Sequence, residues 1–108
     1  MRNNLPIFPL GLVALPGSIQ SLQIFEPRYV NMIKSCMSEN HGFVIVLQNN
    51  ESKDFEISKK GTYVEILDFN NLPNGLLGIT VKSENKVSLK NIHQLEDGLH
   101  IAEIKPEI

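Results

Sequence analysis

The sequence predicts a mostly β domain of the α+β class, with about six or seven short strands forming a partly open barrel and one α-helix capping a side. Three observations carry that expectation. Short apolar runs, several of period two, recur along the chain and are separated by proline, glycine and asparagine turn signals. Only one segment spaces its apolar residues as a helix does. The chain has 108 residues, 42% apolar and 20% charged, which suits one domain spanning 1–108 around one core.

The opening Leu5-Pro6-Ile7-Phe8-Pro9-Leu10 interleaves apolar side chains with prolines. Proline cannot donate to a sheet ladder, so the segment reads as an edge strand or extended arm. Pro16-Gly17 marks a turn, and Ser18 to Phe25 reads as a strand with Leu22 and Ile24 on one face. Glu26-Pro27-Arg28 starts the helix: proline is favoured in a first turn, and Glu26 suits the positive end of the dipole. Tyr29, Met32, Ile33, Cys36 and Met37 form its apolar stripe, and Asn40 and Gly42 end it.

Phe43 to Leu47 is continuously apolar, as expected of a strand buried on both faces beneath the helix. Residues 49–60 are polar and read as a loop pinned by Phe55 and Ile57. A β-meander follows: a strand from Thr62 to Phe69, a Pro73-Asn74-Gly75 turn, then a strand carrying Leu77, Ile79 and Val81. A further strand carries Val87, Leu89 and Ile92, and a two-residue Asp97-Gly98 turn leads to the last strand, His100 to Ile104.

Composition excludes several function classes. The formal charge is −2 and the basic residues are scattered, with Lys59-Lys60 the nearest thing to a cluster, which argues against nucleic-acid binding. Prolines interrupt the apolar stretch after Arg2, so no signal peptide is read, and the longest apolar run is far below the ~20 residues of a membrane span. A single cysteine allows no internal disulfide, in keeping with a cytoplasmic protein. The glycine-rich nucleotide loop, the dinucleotide fingerprint and the G-x-S-x-G elbow are all missing, so no enzyme activity and no cofactor are expected.

The remaining candidates weigh toward structure. Cys36 lies on the helix stripe, where a free thiol packs as a small hydrophobe. His93 and His100 become diagonal neighbours if the Asp97-Gly98 turn has two residues, yet two imidazoles without a third ligand make no metal site. Asp54 with Glu56, and Glu96 with Asp97, fall in loops where carboxylates are normally solvated. Glu26, Pro27 and Arg28 at the strand-to-helix corner read as a clamp, the arginine fork being suited to carbonyls and carboxylates.

The order Leu5 to Leu10, Leu15-Pro16-Gly17, and Leu22 to Phe25 running into Glu26-Pro27-Arg28-Tyr29 resembles the opening of the Lon protease N-terminal, substrate-binding domains. Phe43 to Leu47, Gly61 to Ile66, the Pro-Asn-Gly turn and Ala102-Glu103 follow in the family's order. The Phe-Glu-Pro-Arg-Tyr corner is similar to that of the stand-alone bacterial members, whereas Ser83 and Lys86-Val87 stand where the family often has glycine and then Arg-Phe. The resemblance implies a PUA-like fold, no catalytic residue, and recognition of unfolded or degradation-bound polypeptide; the family's C-terminal helical bundle is expected to be absent. Phe8, Leu10, Leu12 and Leu15 are the candidate polypeptide-facing side chains, with core packing the competing role for Phe8 and Leu10. The alternatives are an RNA-binding PUA-like module and a protein assembly domain. Self-association through an exposed strand edge is also expected.

Overall fold

Six strands and one helix follow one another as β1 (Asn4–Leu10), β2 (Ile19–Ile24), α1 (Pro27–Glu39), β3 (Phe43–Leu47), β4 (Lys60–Asn71), β5 (Leu77–Gln94) and β6 (His100–Pro106). The computed structural model describes residues 4–11, 15–47 and 60–106. The expected loop at 49–60, with Phe55, Ile57, Asp54 and Glu56, lies outside them except for Lys60, which opens β4.

The sheet runs β2-β5-β4-β3-β1-β6, and β6 returns to pair with β5, so five strands form a ring of hydrogen bonds with β2 attached outside it. The length of β5 makes this closure work. Its 18 residues join the two strands expected around Leu77–Val81 and Val87–Ile92. Residues Leu77–Lys82 pair with β2, and Val87–Gln94 pair with β6.

β1 is not an edge. It pairs with β6 over Asn4–Ile7 and, in parallel, with β3 over Ile7–Leu10. Pro6 and Pro9 therefore each face a registered neighbour on one side, which is how an interior strand tolerates two missing N–H donors.

Two apolar clusters use opposite strand faces. The first packs Tyr29, Met32, Ile33 and Cys36 of α1 onto Phe8, Ile24, Phe43, Ile45, Val64, Ile79, Val81 and Leu99. The second joins Leu5, Ile7, Val44, Val46, Val87, Leu89 and Ala102 of the ring strands, without the helix. β3 feeds both, as its continuous apolar run predicts. A register shift at Tyr63/Val64 pairs these residues with Asn85 and Ser83, leaving Glu84 as the extra residue of a bulge. Because one extra residue inverts the face order, Ile79 and Val81 serve the first cluster before Glu84, whereas Val87 and Leu89 serve the second after it.

Both β5 hairpins use one loop geometry. Leu72 N–H donates to Leu76 O at 2.8 Å, and Leu95 N–H donates to Leu99 O at 2.8 Å. Three residues turn in each, Pro73-Asn74-Gly75 and Glu96-Asp97-Gly98, with the glycine at φ 84° and 93° respectively. Asn74 Oδ1 accepts from Leu76 N–H and Asp97 Oδ1 from Leu99 N–H. The second turn is thus one residue longer than expected. Gln94 pairs with His100 and His93 with Ile101, so the two histidines sit on opposite faces and the expected diagonal pair does not form.

Candidate functional site

Pro27 occupies the first helical position and Glu26 the N-cap, with the Glu26 carbonyl accepting from the Tyr29 and Val30 amides. No side-chain bond caps the helix; the Glu26 carboxylate instead lies 3.4 Å from Arg28 Nη2. Arg28 Nη1 donates to the Gly98 carbonyl at 2.9 Å, and its guanidinium lies 4.7 Å from the Tyr29 ring centre. The arginine thus spans from the helix start to the β5–β6 hairpin tip. Close by, the His100 imidazole titrates below its ordinary value, chiefly through burial and secondly through the Arg28 charge.

At the other helix end, Asn40 takes the left-handed conformation at φ 59°, and the chain enters β3 through Gly42. Gly42 N–H donates to the Tyr63 hydroxyl at 3.0 Å, while Cys36 Sγ lies 3.5 Å from the Gly42 carbonyl. Burial pushes the Tyr63 hydroxyl up despite the opposing pull of the Gly42 amide. Cys36 is fully buried, as the stripe predicts, but Met37 is 40% exposed and looks away from the core.

Beyond this junction β4 outruns β3. The two strands pair only from Thr62 to Val64, whereas β4 continues along β5 to Asn71. Among the described residues, Glu65–Asn71 therefore has no strand on its β3 side. A second bulge places Leu67 outside the register between Ile66 and Asp68, and Leu67 and Phe69 stand 53% and 49% exposed. A cleft of about 430 Å³ lies between this edge and the end of α1, bounded by Met37, Asn40, His41, Leu67 and Phe69. An open ladder beside apolar side chains can accept an extended chain by strand addition.

The candidates named from sequence lie elsewhere. Phe8 is 9% exposed and packs edge-on against Tyr29 at 4.7 Å and Phe43 at 6.1 Å, so its ring belongs to the core and not to a binding surface. Leu10 is half-buried against the same cluster. Leu15 is 60% exposed beside the turn into β2, where its carbonyl accepts from Ser18. Leu12 lies outside the described residues. Reading Thr62 to Phe69 as a plain strand hid the open edge; the one sequence signal was Leu67 and Phe69 breaking the alternation after Ile66. Among the described residues no group of three or more histidine, cysteine or acidic side chains could hold a metal ion, and no helix is long and apolar enough to cross a membrane.

A ring of hydrogen-bonded strands braced by one helix, with the Glu65–Asn71 edge open beside the cleft among the described residues, has the features of a domain that can seat an extended guest chain. The comparisons give that class a family. Residues 4–107 match the substrate-binding domain of the ATP-dependent protease La (LON), and the chain belongs to that family. It is 26% identical over 102 residues to Lon protease 1 of Bacillus subtilis, covering 90% of this chain and 13% of the relative. It is 25% identical over 107 residues to the protein cereblon of Danio rerio, covering 94% of this chain and 25% of the relative. The chain therefore spans a quarter or less of these curated relatives. Among solved structures, a Lon N-terminal domain protein from Xanthomonas campestris superposes with a TM-score of 0.83 at 27% identity, over 97% of this chain and 62% of that one. The N-terminal domain of a Mycobacterium avium complex Lon protease shares the fold, with a TM-score of 0.77 at 13% identity over 97% and 55% of the two chains.

Proposed function

We propose that this chain is a non-catalytic polypeptide-recognition module serving protein degradation in the cytoplasm, and that it captures unfolded segments along the open edge of β4. The observation that carries the reading is the Glu65–Asn71 edge, unpaired on its β3 side among the described residues and facing the cleft with Leu67, Phe69 and Met37 exposed. Backbone hydrogen bonds along such an edge give affinity for any extended chain, while the apolar side chains favour alternate apolar residues in the guest. Membership in a substrate-binding family supports the same assignment. Among the described sequence candidates Leu15 offers its side chain to a partner, and the outer edge of β2 is where a second copy would pair.

The test is a titration of the protein with a permanently unfolded protein whose cysteines are blocked as uncharged carbamidomethyl groups, with light scattering in parallel. Phe69→Asp, at a half-exposed position, is expected to weaken binding about tenfold while leaving the circular dichroism unchanged. Failure of the original protein to bind, or equal binding by the variant, overturns the β4 assignment.

A further inference from the structure

The registers of β4, β5 and β6 assemble a charged surface that the sequence hides. Lys60 of β4 lies directly opposite Ser88 of β5, and Ser88 lies directly opposite Lys105 of β6. Lys86 and Lys90 stand two residues either side of Ser88, on the same face, because the neighbouring Val87 and Leu89 are buried toward the other. All four lysines are exposed. Strand geometry separates Lys60 from Lys105 by about 10 Å between backbones and Lys86 from Lys90 by about 13 Å. Each lysine is rooted only about 5–7 Å from Ser88, inside the Debye length of about 8 Å at physiological salt, so the ammonium fields overlap around the central hydroxyl even though the lysines across the patch screen one another. Among the described residues Glu103 adjoins the group: it lies opposite Lys90 and is held by the Asn91 side chain at 2.7 Å. Four of the chain's ten basic residues thus gather on one patch of a protein whose net charge is −2.

We propose that this face, on a different part of the sheet from the β4 cleft, is a docking surface for acidic polypeptide segments. Charge complementarity selects an anion, and the arrangement selects its form. In an extended chain, side chains on one face recur about every 7 Å, the same rise that separates Lys86, Ser88 and Lys90 along β5. Carboxylates at alternate positions of a guest therefore meet successive donors on one straight line. Single-stranded nucleic acid fits less well, because the patch and its cross-strand neighbours Thr62 and Glu103 include no aromatic ring on which bases could stack. Such a face steers an acidic segment to the domain and speeds its encounter more than it tightens the complex.

The experiment titrates the protein with a ten-residue polyglutamate peptide, a polylysine peptide of equal length and a single-stranded RNA decamer, at low and physiological salt. Polyglutamate is expected to bind, polylysine not, and raising the salt is expected to weaken the complex several-fold. Lys86→Glu combined with Lys90→Glu should cut polyglutamate affinity at least tenfold and leave capture of carbamidomethylated protein, whose blocked cysteines are uncharged, at the β4 edge unchanged. Ser88→Asp, which places an acid at the centre, should also weaken it. Absence of polyglutamate binding, or indifference to the double charge reversal, overturns the proposal. So does tighter binding of the RNA, which would make this a nucleic-acid face. Loss of carbamidomethylated-protein capture by Phe69→Asp alone leaves this proposal standing, so the two assignments fail separately.

Discussion

Replacing Arg28 by alanine removes three contacts whose sizes can be added. The first is the hydrogen bond from Nη1 to the Gly98 carbonyl at 2.9 Å. A charged donor contributes about 1.5–3 kcal/mol, and the low end applies because Gln94 Nε2 also reaches that carbonyl at 3.0 Å and leaves it satisfied. The stacking over Tyr29 adds about 0.5–1 kcal/mol. The Glu26 pair, long at 3.4 Å and only partly shielded from solvent, adds at most about 0.5 kcal/mol. Arg28→Ala should therefore cost about 2–3 kcal/mol in urea unfolding, a fall of roughly 10–15 °C in Tm for a domain of this size. A loss below about 0.5 kcal/mol would refute the clamp. His100 supplies a second reading. Its folded pKa lies below the ordinary 6.5 through burial and then Arg28, so the unfolded chain takes the proton more readily. Stability from this group is complete above about 6.5 and falls as pH drops through the window beneath it. Removing the Arg28 charge should raise the His100 pKa in an NMR titration without restoring it fully, since burial is the larger cause. Arg28→Lys should lose much of the stability while leaving His100 where it is, which separates the fork from the charge.

Two further substitutions or reagents probe the junction between α1 and β3. A Cβ on Gly42 would run directly into the Val64 carbonyl oxygen, which is backbone and cannot yield, so Gly42→Ala should destabilise by about 2–4 kcal/mol in the same urea assay. An unchanged midpoint would mean that the β3–β4 pairing is looser than its register. Cys36, with no exposed surface, should react with a thiol reagent only after denaturant is added. Rapid labelling of the native protein would show that the helix end opens.

The helix was legible because each signal for it is local: Pro27 sits at the first position, Tyr29, Met32, Ile33 and Cys36 are buried, and Asn40 ends it in the left-handed region. The double burial of β3 was legible for the same reason, since an unbroken apolar run needs two apolar faces. Three features were not. The interior place of β1 depends on two neighbours each covering half of it, which no proline count conveys. The face switch in β5 leaves no trace in its pattern, because Ile79, Val81, Val87 and Leu89 keep one parity while the Glu84 bulge reverses which way that parity points. One residue of loop length at Glu96-Asp97-Gly98 decided the histidine placement, and hairpin sequences rich in Asp-Gly suit two-residue and three-residue loops alike.

The open edge has a physical origin in unequal strand lengths. β3 has five residues and β4 has twelve, so β4 runs on past β3, with no second strand beside Glu65–Asn71 among the described residues. Ring closure by β6 removes the edges that the other ring strands would otherwise expose. An unpaired edge of seven residues invites pairing with another copy of itself, and proteins usually blunt such edges with charge. Here Glu65 and Asp68 stand on the edge. Two copies meeting edge to edge would bring four carboxylates together, whereas an uncharged or basic guest meets no such repulsion. The same two acids that guard the edge against self-pairing leave it available to a foreign segment, and this asymmetry is what allows an exposed ladder to persist in a binding domain.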